Sequence, residues 1–76
     1  MATVREIIDA MGGPAKTARA CDVTESAVQI WLSVGEIPDQ RLAWIAARVE
    51  LASDGKITRK QLFPLEWPLI WPELAS

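Results

Sequence analysis

Glu25, Ser26 and Gln29 lie close together in a segment that also repeats apolar residues at helical spacing. The carboxylate accepts hydrogen bonds, the hydroxyl donates or accepts, and the carboxamide does both. The surrounding stretch, KTARACDVTESAVQIWL (16–32), must set them on one face. It reads as two short helices joined by a turn at Cys21-Asp22-Val23, with Thr24 as the N-cap of the second helix. Val28, Trp31 and Leu32 then point inward, and Glu25, Ser26, Gln29, Ile30 and Ser33 are left outward. Ala18 stands where the two helices must approach closely, since a larger side chain would push them apart. Small residue, turn, buried aliphatic, cap and buried aliphatic is the order of a helix-turn-helix, whose second helix usually enters the major groove of DNA.

The flanking elements follow from caps and breakers. Thr3 is an N-cap with Glu6 three residues on, the capping-box spacing, and Val4, Ile7, Ile8 and Met11 form an inward stripe ended by Gly12-Gly13. Pro14 suits the first turn of the next helix, which ends near Ala20 or Cys21. Asp22 sits where a left-handed conformation is expected, which Asp tolerates better than most residues. Gly35 stops the third helix, and Ile37-Pro38 is an extended connection. Asp39 to about Ala52 is the longest helical pattern, with Leu42, Ile45, Ala46, Val49 and Ala52 on its inner face and Trp44 or Leu51 able to widen it. Ser53-Asp54-Gly55 breaks it, and Thr58 caps a short helix over Arg59–Phe63. The ending, PLEWPLIWPELAS, holds three prolines and two tryptophans and cannot be one long helix. The expectation is one all-α domain spanning residues 1–76, with five helices, the two-helix unit at about 14–34 and an aromatic tail at 64–76.

Composition narrows the function. One cysteine and no histidine remove zinc fingers, His-based acid–base pairs and His-activated nucleophiles. Cys21 reads as a small buried hydrophobe. There is no glycine-rich phosphate loop, so neither an enzyme, a metal, a cofactor nor a small-molecule substrate is expected. No apolar run approaches the roughly 20 residues that cross a bilayer, and MATVREIIDAMGG carries Glu6 and Asp9 where a secretory signal would be apolar. A soluble, cytoplasmic protein is the expectation.

From Lys16 to Gly35 the chain resembles the Cro/CI repressors, matching Lys16-Thr17-Ala18, Val23, Ser26-Ala27 and Gly35. Gly12-Gly13, Trp31, Gly35-x-Ile37-Pro38, Leu62-x-Pro64 and Trp71-Pro72-Glu73-Leu74 are similar to the YdaS-like small Cro proteins of phages and prophages, a likeness over roughly residues 3–74. The resemblance implies a lambda-repressor-like five-helix fold and a Cro-like repressor that blocks transcription by occupying operator DNA as a homodimer. It places Glu25, Ser26 and Gln29 at base-reading positions. Gln29 would pair with adenine N6 and N7, and Glu25 would accept from cytosine N4. Lys16, Arg19 and Thr24 become phosphate contacts, with Arg59 and Lys60 as further ones beside the groove. Ile30, Ser33, Val34 and Glu36 depart from the pattern, standing where such relatives often carry Lys or Arg.

Charge bears on this reading. The net charge is −2, whereas phosphate neutralisation makes most nucleic-acid binders basic. Residues 13–38 hold two cations against three acids; residues 39–63 hold five against three. The alternative is therefore a protein-interaction module on the same fold, antitoxin-like or anti-repressor. A positive patch joining Lys16, Arg19, Lys56, Arg59 and Lys60 would favour DNA; an apolar one around Ile30 and Val34, continuous with the tail, would favour a protein. The tail itself admits two readings. Trp67, Ile70 and Trp71 form a dimer interface, or they wrap back to seal their own domain. Each tryptophan can bury up to ~250 Å² either way.

Overall fold

The first helix shows how closely local chemistry sets the chain's path. Thr3 Oγ1 accepts from the Glu6 amide at 3.1 Å, and the Glu6 carboxylate accepts from the Thr3 amide at 3.1 Å. This reciprocal box opens α1 (Val4–Ala10). The computed structural model describes residues 2–75, and the further elements are α2 (Pro14–Cys21), α3 (Glu25–Val34), α4 (Asp39–Ala52), α5 (Arg59–Leu62) and α6 (Trp67–Ile70), with a 3₁₀ turn at Pro72–Ala75. There is no strand among the described residues. Nor is any helix among them long and apolar enough to cross a membrane.

The core is built from α1–α4 and the segments beside them. Ile7, Ile8, Ala18, Cys21, Val28, Trp31, Ile45 and Val49 are buried together, joined by Ile37 and Ile57 from the connections. Full burial of an aliphatic of this size contributes about 1.5–3 kcal/mol, so these side chains dominate the stability. Thr17 is wholly buried as well, its hydroxyl donating to the Gly13 carbonyl at 2.8 Å. Cys21 is fully enclosed, and burial pushes its thiol above the ordinary value.

Several expectations change. Ala52, Trp44 and Leu51 were placed on or beside the inner face of α4, but all three are exposed. The buried arc of α4, Ile45, Ala46 and Val49, faces chiefly α1, α2 and α5. Ile37 lies in the extended connection expected between α3 and α4, and it is itself a core residue, 5% exposed. Five helices were expected and six are present among the described residues: within the tail Trp67–Ile70 forms a helix of one turn with Pro68 in its first turn, where its missing amide costs nothing.

Two polar links tie distant elements. Arg41 Nη1 donates to the Cys21 carbonyl at 3.1 Å, meeting the carboxyl end of α2 where a cation is favoured. Glu50 Oε1 accepts from the Arg59 amide at 2.7 Å, and its Oε2 lies 3.3 Å from Arg59 Nη2. These contacts, the backbone amide foremost, hold the Glu50 carboxyl below the usual range.

Candidate nucleic-acid interface

The turn between α2 and α3 determines which way α3 faces. Asp22 takes the left-handed conformation, φ 56° and ψ 48°, and the Val23 amide donates back to the Ala18 carbonyl at 3.0 Å. Asp bears this geometry with less strain than a β-branched residue. Thr24 then caps α3, its Oγ1 accepting from the Ala27 amide at 3.2 Å. Val28 and Trp31 anchor the inner face, and Gly35 at φ 80° ends the helix. Glu25, Ser26, Gln29, Ile30 and Ser33 are therefore all exposed, as their spacing requires.

The cations do not gather into one patch. Lys16 and Arg19, both exposed on α2, line a shallow cavity of about 500 Å³ together with Arg48 of α4. Arg48 has no motif around it; its place beside Lys16 and Arg19 comes from the packing of α4 on α2. Gly12 helps to set Lys16. It has φ +100°, and a Cβ there would stand 2.7 Å from Lys16 Cδ, so the lysine stem lies across bare backbone. Lys56 is elsewhere, in a cavity of about 960 Å³ whose wall includes Glu6, Asp9 and Asp54. Arg59 is bound to Glu50, with its guanidinium 5.7 Å from the Trp71 ring centre. Lys60 Nζ sits 4.4 Å over Trp67.

Beyond Gln29 the exposed face of α3 turns apolar. Ile30 is 60% and Val34 67% exposed, and with Trp31, Glu36 and Pro38 they line a cavity of about 360 Å³. No tail residue is in its wall. Trp67 and Trp71 are half-buried against α5, where Trp71 also meets Phe63 edge-on at 5.7 Å between ring centres. Ile70, Leu65 and Leu69 are left on the open side of the tail.

These features describe a small all-helical protein whose third helix, set by a tight capped turn, offers a mixed polar and apolar face. The family model described as bacterial toxin YdaS matches residues 4–70, and the chain belongs to that family. The comparisons with curated proteins and with solved structures each give no match.

Proposed function

We propose that this chain is a Cro-like repressor of phage or prophage origin that binds operator DNA as a homodimer through its helix-turn-helix and blocks transcription by occupancy. The observation that carries the reading is the exposed row Glu25, Ser26 and Gln29 on the first turns of α3, behind a capped, left-handed turn. That geometry suits entry into a groove about 12 Å wide. Lys16, Arg19 and Arg48 form the phosphate-binding side, with the Thr24 hydroxyl as a further donor. Arg59 and Lys60 contribute less, because Glu50 and the tail rings already engage them. No catalytic step, metal or cofactor enters. A regulator that occupies promoters of its host would harm that host, which is compatible with the toxin description of the family.

Ile30 and Val34 favour a second reading, an antitoxin-like or anti-repressor module that docks a protein on the far half of α3. A mobility-shift assay on DNA flanking its own gene separates the two. Under the DNA reading, Lys16→Ala weakens binding to all sequences alike and flattens the salt dependence. Gln29→Ala relaxes preference at one base pair, by about 1–3 kcal/mol. Wild-type affinity in both variants would move the DNA surface off this face, and no retardation at all would leave the protein-docking reading.

A further inference from the structure

Ile30 stands 60% exposed among hydrogen-bonding side chains on the outward face of α3. Ser26 lies one turn before it and Ser33 one turn after it, both exposed, and exposed Gln29 adjoins it. Val28 and Trp31 are the buried residues of α3 and fix which side of the helix is inward. Ile30 therefore shares the outward side with Ser26, Gln29 and Ser33. The two serines are short, so Gln29 and Ile30 project furthest along this stretch. Consecutive helix positions diverge by about 100°, so these two side chains meet different base pairs. Ile30 also lines the cavity formed with Trp31, Val34, Glu36 and Pro38, but it alone of those exposed residues lies within a turn of Ser26.

An aliphatic branch has no donor or acceptor, which limits what it can read. In the major groove guanine, adenine and cytosine display hydrogen-bonding groups, whereas thymine adds a C5 methyl group. Set against one of the first three edges, Ile30 would strip water from polar atoms and return no hydrogen bond. Against thymine it covers a methyl group and is itself covered. We infer that Ile30 is a specificity-determining residue that reads the 5-methyl group of a pyrimidine, thymine in ordinary DNA. With Gln29, which suits adenine, it gives each half-site two A·T pairs where α3 faces the groove. The inference rests on the DNA reading proposed above, and it assigns to a base contact a residue that the protein-docking reading would use.

Binding of the full chain to duplexes edited at single methyl groups tests this. The probe is the shortest duplex, from DNA flanking its own gene, that the wild type retards. Each thymine in turn is replaced by deoxyuridine, which lacks only the methyl group. The wild type is expected to lose about fourfold in affinity at one thymine of each half-site, the effect of leaving one group of that size uncovered. Ile30→Ala should bind the thymine duplex more weakly and show no further loss at that position. Its melting curve should be unchanged, because the side chain is exposed. Val34→Ala, one turn further on, should keep the wild-type discrimination. A C·G pair at the same position should weaken the wild type. 5-Methylcytosine there should recover part of that loss in the wild type and none of it in Ile30→Ala.

A wild type that retards DNA but is indifferent to every deoxyuridine replacement overturns the inference and leaves the DNA reading intact. So does an undiminished loss in Ile30→Ala, which would trace the effect to another residue or to the shape of the duplex. Discrimination abolished by Val34→Ala and kept by Ile30→Ala would move the contact to the far half of α3 and overturn it as well. No retardation of any duplex overturns the DNA reading, and this inference with it.

Discussion

Single side chains in this protein act mainly by meeting backbone groups that a helix end leaves open. Glu6 and Glu50 both accept from a main-chain amide, and in both the carboxyl lies below its ordinary value of 4.5. A group whose folded-state pKa is depressed binds fewer protons folded than unfolded, so its stabilisation is present above the ordinary value and is lost as pH falls below it. Melting temperature should accordingly fall on acidification from neutral pH to below 4.5, and Glu50→Gln should flatten that dependence. An equally steep acid limb in the variant would remove Glu50 from the account. Arg41 works at the other kind of end. Arg41→Met keeps most of the stem but loses the bond to the Cys21 carbonyl, and should cost about 1–2 kcal/mol in thermal or urea unfolding.

The α2–α3 unit depends on close approach at Ala18, which is 4% exposed. Ala18→Leu overpacks that contact and should cost on the order of 1–3 kcal/mol. An unchanged melting curve would mean that the helices do not meet there as tightly as described. The short α5 has a different dependence. Thr58 and Gln61 cap it reciprocally, both at 3.1 Å, and Trp71 and Trp67 cover its outer side. Four residues cannot sustain a helix by their own hydrogen bonds. Trp71→Ala, which removes the Phe63 ring contact, should therefore lower the melting temperature, by an amount in the range of about 0.5–1.5 kcal/mol for the ring pair beyond its lost area.

Across the whole molecule the net charge of −2 sets how binding responds to salt. Lys16, Arg19 and Arg48 supply a small cationic footprint, so about three or four phosphates are met per copy under the DNA reading. Two copies then give a log–log slope of roughly −6 at about 0.9 per contact. Titrating the mobility shift with salt measures it. A slope near −10 or steeper would require cations that this surface does not hold, and Arg59 and Lys60 would have to be released from the tail to provide them.

The ends of the helices were legible in the chain because they are settled within a few residues. Thr3 with Glu6, Thr24, Gly35 and Thr58 act on amides three or four positions away, and the outward row on α3 follows from its period alone. The same local logic failed for Trp44 and Leu51, and it was silent on the burial of Ile37. Whether an apolar residue on a helix edge or a connection is covered depends on which other elements reach it, and on α4 burial is complete only at Ile45, Ala46 and Val49. The gathering of Arg48 with Lys16 and Arg19, and of Arg41 with the end of α2, likewise joins residues twenty or more positions apart. Periodicity carries no record of such pairings. They arise when α4 packs across α2, and that packing also turns Trp44 and Leu51 outward.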